Sequence, residues 1–282
     1  MKINCNIFLL VLILFICVAC KKIKYYPDKP YGDVETKVLA HRGGGNSSYQ
    51  ENTLEAASYG LSTLDGIEVD IQISKNRTIW MFHSAELPDC GGVSYNCFPE
   101  TYNSQIIELD SCLGNTFVLS RLEEVFALMS SLYTDKFISL DVKAWAPCEV
   151  TSLGITGIMN VIADEIVYLT DKYNLNGHVM VESETTSFLS YLKRKSVGVE
   201  TYLSTLGDFE RGMQIALKGG FTGLSFKYKF DEEITEDHIY LIRKKGLKIQ
   251  LWTVNEPDEI EEAIFINPDY IQTDNLAYFQ SN

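Results

Sequence analysis

Basic residues are the scarce class in this 282-residue chain: 24 Lys and Arg stand against 38 Asp and Glu, a formal charge of −14. Such a balance repels nucleic acid, so nucleic-acid binding is set aside, and it leaves no broad basic face for an anionic lipid surface. A phosphate-bearing ligand would need a locally positive site or a metal ion. Histidine is scarcer still, with four in the whole chain, so the position of each is informative. No repeat at a solenoid period and no low-complexity segment is present, which excludes a repeat array. What remains, 46% apolar and 22% charged residues, is the composition of an ordinary globular protein with room for one large core or two small ones.

The first residues, MKINCNIFLLVLILFICVACKK, stand apart from that globule. Lys2 is a minimal positive region, and Ile7 to Val18 is an apolar run too short to span a bilayer comfortably, so residues 1–19 read as an export signal. The CVAC at its end resembles a bacterial lipoprotein box, which makes Cys20 the lipidated first residue of the mature chain. Cys17 stands where such boxes usually carry leucine. A cleaved signal without lipid and an uncleaved N-terminal anchor are the alternatives. Residues 20–36 then form a short polar tether with two prolines, and residues 37–282 the folded domain. Export places Cys90, Cys97, Cys112 and Cys148 in an oxidising compartment, where three disulfide pairings or free buried thiols are open. Cys90 and Cys97 flank one loop and are plausible partners.

Short β-branched runs recur along the rest of the chain: VLAHRG, IEVDIQIS, TIWMFHS, FISLDVKA, HVMVES, VGVETYL, FTGLSFKY, KIQLWTV and YIQTDN. Helical patterns separate most of them. SRLEEVFALMSSLY begins with Ser120 and carries Glu123 three positions on, the pattern of a capping box. DFERGMQIALKGG and TEDHIYLIRKKG both end at glycine. Strand alternating with helix implies parallel strands and crossover helices. Nine runs are one more than a (β/α)8 barrel uses. Only Lys75, Asn76 and Arg77 separate the second run from the third, which is hairpin spacing, so the third folds back antiparallel. The expected fold is an α/β (β/α)8 TIM barrel with a small β-hairpin and loop insertion after strand 2, its active site at the C-terminal strand ends.

Charged residues inside these strands are the informative ones. Glu68 and Asp70 are two apart and share a face. A two-residue turn at Lys75-Asn76 would pair Ser74 with Arg77, Asp70 with Met81 and Glu68 with His83, setting His83 beside both carboxylates; a turn one residue longer reverses that parity. Asp141 and Lys143 repeat the two-apart geometry, and His41 and Arg42 close the first strand. Taken singly, each of these residues is more often a solvated or structural group. Together, at the strand ends of one barrel mouth, they are costly unless something binds there. Three carboxylates without a cysteine favour one hard divalent cation, Ca2+ or Mg2+, over zinc. Two imidazoles supply an acid and a base, and Arg42, Lys143 and the ion can take up charge on a phosphoryl group. His178 and His238 are expected to be structural.

HRGGGNSSYQENTLEA followed by GIEVDIQISKNRTIWMFHS resembles the glycerophosphodiester phosphodiesterase family, with its His-Arg-Gly, Glu-Asn-Thr, Glu-x-Asp and second histidine. The similarity continues in QIIELDSC, LSRLEEVFAL, LDVK, LWTVNEPDEI and the closing YIQTDN, from about Lys37 to Leu276. The resemblance implies a (β/α)8 barrel with a hairpin insertion and hydrolysis of small glycerophosphodiesters. It makes His41 and His83 the acid/base pair and Glu68, Asp70 and Asp141 the ligands of the divalent ion. Arg42 and Lys143 become phosphate contacts and Trp252 part of the pocket wall. Glu51 stands near the site or serves helix capping or packing, and the glycines after Arg42 let backbone pass close to phosphate. Two positions depart from the pattern: Asp141 where the family usually has glutamate, and Ser84 where it usually has aspartate. Both the aspartate and the cysteines after the second histidine also occur in the related sphingomyelinase D-like phospholipases. A lysophospholipase D, and a non-catalytic surface-binding lipoprotein on the same barrel, are therefore the alternative functions.

Overall fold

A closed barrel follows directly from the order in which the strands pair. The computed structural model describes residues 34–45, 48–84, 87–88, 97–112, 118–142, 154–205, 208–229 and 236–281. Lys37–Ala40 (β1) leads through Leu54–Thr63 (α1) to Gly66–Ile73 (β2) and its hairpin partner Ile79–Met81 (β3). After Asn103–Cys112 (α2) and Leu122–Leu132 (α3) come Phe137–Val142 (β4), Gly154–Lys172 (α4), Val179–Ser183 (β5) and Thr186–Lys195 (α5). Val199–Thr205 (β6), Phe209–Gly219 (α6), Gly223–Lys227 (β7) and Glu236–Lys244 (α7) follow. Lys248–Trp252 (β8), Pro257–Ile266 (α8), Tyr270–Thr273 (β9) and Leu276–Ser281 (α9) complete the chain. The sheet runs β1-β9-β8-β7-β6-β5-β4-β2-β3, and a further β1–β2 pairing closes eight parallel strands into a ring with β3 outside it. The architecture is the (β/α)8 barrel with a hairpin insertion.

Alternation along each strand sorts side chains into two environments. In β2, where every position is buried, Ile67, Val69, Ile71 and Ile73 join the core between strands and helices, and Gly66, Glu68, Asp70 and Gln72 take the opposite face, toward the barrel axis. The interior is layered. Near the N-terminal ends Leu39, Met180, Tyr202 and Tyr270 make a separate apolar cluster with Phe137 against it. Two residues further along the same strands come the buried polar groups Ser139, Glu182 and Gln272, with Ser225 and Gln250 beside them. Another two residues bring Asp70, Asp141, Lys227, Trp252 and Asp274 to the mouth, where His41, two residues beyond Leu39, joins them. Gly66 is where β2 crosses closest to β4: a Cβ there would lie 2.2 Å from the Phe137 carbonyl oxygen, so only glycine lets the ring close at that point.

Three local expectations change. The hairpin closes one residue later than a two-residue turn allows. Arg77 takes a left-handed conformation (φ 65°), so Ser74 faces Thr78 and the pairs are Ile73 with Ile79, Gln72 with Trp80 and Ile71 with Met81. Neither Asp70–Met81 nor Glu68–His83 is a pair. The cap of α3 also shifts by one: Glu124 accepts from the Arg121 N–H at 2.8 Å. Ser120 serves another helix, its hydroxyl accepting from the Leu54 N–H at the start of α1 at 2.9 Å. Finally, Val34–Asn282 is the compact unit. Thr36 donates to the Pro268 carbonyl at 2.8 Å and Asn267 bonds to Val34, so the end of the expected tether belongs to the barrel.

The insertion after β3 carries its own small core of Trp80, Leu87, Phe98, Ile106 and Leu109. Asn103 fastens it to the hairpin: its side-chain oxygen accepts from Ser74 (2.6 Å) and Trp80 (3.2 Å), and its amide donates to Thr78 (2.8 Å). Cys97 is disulfide-bonded, which removes the free-thiol alternative for that residue. The side chains of Cys90, Cys112 and Cys148, and all of residues 1–33 with Cys20, lie outside the described residues. Among the described residues no helix is long and apolar enough to cross a membrane.

Candidate active site

Glu68, Asp70 and Asp141 each bring a carboxylate oxygen into one group whose members lie within 4.8 Å of one another. The register explains the convergence. β2 and β4 pair with Asp70 beside Asp141 and Glu68 beside Ser139, so the three carboxylates leave two adjacent strands on one face. Like charges this close in a buried setting repel. Burial first, then the charges of Asp70, Glu182 and Asp141, push the Glu68 carboxyl well above its usual range, against a backbone hydrogen bond from Arg42. Three hard oxygen donors gathered at this cost, with no sulfur among them, fit a divalent cation. The described geometry thus brings together all three expected metal ligands.

The loop after β1 is built around these carboxylates. Arg42 adopts a left-handed conformation (φ 50°), which turns its N–H onto Glu68 Oε2 at 2.9 Å. Its guanidinium Nη1 reaches both oxygens of Glu51, at 2.9 and 2.8 Å. Nε lies 3.3 Å from Asp70 Oδ2, an ion-pair contact without hydrogen-bond alignment. Asn52, also left-handed (φ 57°), donates its amide to Asp70 Oδ2 at 2.9 Å and accepts from the Asp70 N–H at 3.0 Å. Thr53 caps α1. The Glu-Asn-Thr motif therefore has one task per residue: Glu51 holds Arg42, Asn52 holds Asp70, and Thr53 starts the helix. Removing the Asn52 amide would strand a buried N–H, at a cost of about 1–3 kcal/mol. Gly43 and Gly44, both left-handed (φ 77° and 90°), also answer to packing, since a Cβ on Gly43 would meet the Ala57 backbone at 3.0 Å.

His41 stands at the edge of the cluster. Its Nδ1–H donates to Asp274 Oδ1 at 2.7 Å, and its Nε2 lies 3.8 Å from Glu68 Oε2. A carboxylate can only accept, so Nδ1 carries a proton, and in the neutral ring the Nε2 lone pair faces the carboxylates. Asn255 secures Asp274 in turn: its amide donates to Oδ2 and its oxygen accepts from the Asp274 N–H, each at 2.8 Å. Burial pushes the Asp274 carboxyl up, but the hydrogen bonds from His41 and Asn255 outweigh it and hold the group below the usual range. The WTVN and TDN segments meet here because β9 pairs with both β8 and β1.

The remaining expected residues divide. His83 follows β3 by two residues, at a bend; the backbone N–H of Phe82 still bonds to the Asp70 carbonyl at 2.9 Å, so the chain passes His83 just beyond the hairpin. Strand parity does not determine its direction. Trp252 ends β8 in register with Lys227, half-buried, its indole N–H buried without a hydrogen-bond partner. Lys143 lies outside the described residues. His178 is bonded through Nδ1 to the Lys136 carbonyl at 3.0 Å and stacked on Phe137, and the ring of His238 packs 3.9 Å from that of Phe209. Both make contacts of the kind expected of structural histidines. Sequence reasoning missed Asp274, Asn255, Asn52 and Glu182. The rule that singled out Asp141, a charged residue near a strand's C-terminal end, applies equally to Glu182 and Asp274.

The profile of the glycerophosphoryl diester phosphodiesterase family matches residues 41–277. A glycerophosphodiester phosphodiesterase of Caldanaerobacter subterraneus is 25% identical over 248 residues, covering 86% of this chain and 95% of that protein. Among solved structures, a putative glycerophosphodiester phosphodiesterase from Galdieria sulphuraria superposes with a TM-score of 0.72 at 20% identity, over 89% of this chain and 99% of its own. A phosphodiesterase of Oleispira antarctica, solved with the product sn-glycerol-3-phosphate, has a TM-score of 0.68 at 16% identity, over 88% and 96% of the two chains.

The raised Glu68 carboxyl gives a pH prediction. A carboxyl whose pKa rises on folding stabilises the fold below its ordinary value of 4.5 and loses that contribution as pH rises through the folded value. With divalent ions chelated, the melting temperature should fall as pH is raised from about 5 to 8, and Glu68→Gln should flatten the fall. Parallel curves for the two proteins would contradict the assignment.

Proposed function

The chain belongs to the glycerophosphoryl diester phosphodiesterase family and so is a phosphoric diester hydrolase; from that premise we propose that it cleaves glycerophosphodiesters to glycerol 3-phosphate and an alcohol, with one divalent cation and two histidines. The observation that carries the reading is the carboxylate group of Glu68, Asp70 and Asp141 beside a histidine whose free nitrogen faces it. The product found with the Oleispira relative is in keeping with the substrate class.

A Ca2+ or Mg2+ ion held by Glu68, Asp70 and Asp141 would supply Lewis-acid stabilisation of the charge that builds on the phosphoryl oxygens. The protein's own groups handle position and protons. His41, held by Asp274, removes the proton from the attacking group, either water or the neighbouring glycerol hydroxyl of the substrate, and Asp274 stabilises the imidazolium that results. His83 gives a proton to the departing alcohol oxygen as the phosphorus–oxygen bond breaks. With water as nucleophile, the proton that His41 removes balances the one that His83 supplies, and the histidines exchange them with solvent before the next turnover. Attack by the glycerol hydroxyl gives a cyclic phosphate instead, which water then opens to glycerol 3-phosphate. Arg42, pinned by Glu51, and Lys143 contact the phosphate, and Trp252 walls the pocket.

The same proposal extends to the N-terminus: residues 1–19 direct export, Cys20 carries lipid, and the segment up to the barrel is a tether to the membrane of the cell envelope. The apolar run ending in CVAC supports it.

The decisive assay incubates the chain from Lys21 onward with glycerophosphocholine and, separately, lysophosphatidylcholine, in Ca2+ or Mg2+ and then in chelator. Glycerol 3-phosphate should appear from the first substrate only with the ion present. His41→Ala and His83→Ala should each lower the rate by at least about 100-fold. Turnover of the lysolipid alone would move the protein to the phospholipase D class, and ion-independent turnover would sink the metal assignment. For the anchor, metabolic labelling with a radioactive fatty acid in a bacterial host should mark the full chain and not Cys20→Ala. Equal labelling of both would place the lipid elsewhere.

A further inference from the structure

Glu182 is a carboxylate buried with no cationic partner among the described residues. It stands on β5 in register with Asp141 of β4, is 3% exposed, and belongs to the polar layer beneath the mouth. Its Oε1 accepts from Gln272 at 2.8 Å and from Ser139 at 3.2 Å, and its Oε2 accepts from Ser225 at 2.5 Å. Gln250 donates to both serine hydroxyls, at 3.3 and 3.4 Å, and keeps a buried oxygen with no partner. Every donor around Glu182 is neutral. Among the described residues no Lys, Arg or His side chain ion-pairs with it.

A buried ionised group held only by hydroxyls and amides is costly, and a glutamine of the same shape could accept from Gln272 and Ser139 through its one oxygen and turn its amide N–H onto the Ser225 hydroxyl, without the charge. The fold therefore does not require the negative charge at this position. The group it acts on electrostatically is the ligand set. Glu182 lies beside Asp141 in the strand register, and its charge adds to those of Asp70 and Asp141 in pushing the Glu68 carboxyl up. Glu182 is not itself within the three-carboxylate group. Its oxygens are turned to the serines and Gln272 instead.

We propose that Glu182 is a positioning residue for the divalent cation: its fixed charge, anchored by Ser139, Ser225 and Gln272 and one strand over from Asp141, increases the negative potential at the mouth and strengthens cation binding. The proposal rests on the metal reading above. It gives this chain a fourth carboxylate acting on the ion through space, next to the strand where its third ligand is the shorter aspartate.

The experiment measures Ca2+ and Mg2+ binding to the full chain in detergent by titration calorimetry, for wild type, Glu182→Gln and Glu182→Asp, with circular dichroism and melting in chelator as the check on folding. Glu182→Gln should fold, melt in chelator no lower than wild type, and bind the ion on the order of 10–100-fold more weakly. Turnover of glycerophosphocholine should recover when the ion is raised to match. Glu182→Asp keeps the charge and should stay within about threefold of wild type, because it retains the field and changes only its reach. Three results would overturn the proposal: wild-type affinity in a folded Glu182→Gln, equal losses in both variants, or failure of Glu182→Gln to fold, which would make the charge part of the fold. If wild type binds neither ion, the metal reading falls, and the inference falls with it.

Discussion

Mutual repulsion among carboxylates on one wall of a closed barrel is the constraint to which the rest of this molecule responds. Glu68, Asp70 and Asp141 lie within 4.8 Å of one another, and Glu182 adds its charge from the next strand. An isolated buried carboxylate carries a heavy desolvation cost, and neighbours of the same sign increase it. The chain meets this with donors from several directions. The Arg42 backbone serves Glu68, Asn52 and the Arg42 guanidinium serve Asp70, and hydroxyls and amides of the barrel interior serve Glu182. These groups reduce the strain without neutralising it. The divalent cation we propose would complete the arrangement.

Barrel closure makes the charges convergent rather than scattered. Because β1 pairs with both β2 and β9, His41 at the end of β1 stands between Glu68 on one side and Asp274 on the other. Apolar packing of Leu39, Met180, Tyr202 and Tyr270 plugs the lower interior, so the polar layer above it sits on a solid floor. The left-handed residues Arg42 and Asn52 then fold the first loop back over the mouth. Position at the site is thus set by strand register and a short strained loop, both of which resist displacement.

Much of this is legible in the sequence. Period-2 alternation placed Glu68 and Asp70 on one face, and three residues between two strands identified the hairpin that leaves eight strands for the barrel. The hairpin register was not legible, because it turns on whether Arg77 adopts a positive φ, which a non-glycine residue rarely signals in sequence. Ser120 matched a capping pattern that the chain uses differently, since its hydroxyl finds α1 across the fold. Asn255 and Asp274 are 19 positions apart, and Asp274 meets His41, 233 positions away, only once the ring closes. Nothing in HVMVES sets Glu182 apart from other strand-end polar residues, because its burial among neutral donors exists only in three dimensions.

The central claim is that the three carboxylates hold one divalent cation. Its most direct measurement is anomalous X-ray diffraction from crystals grown with Mn2+, which takes the oxygen sites of Mg2+ and Ca2+ and scatters distinctively. The account predicts one strong peak at about 2.0–2.4 Å from oxygens of Glu68, Asp70 and Asp141. No peak there, or a peak held by other residues, would contradict it.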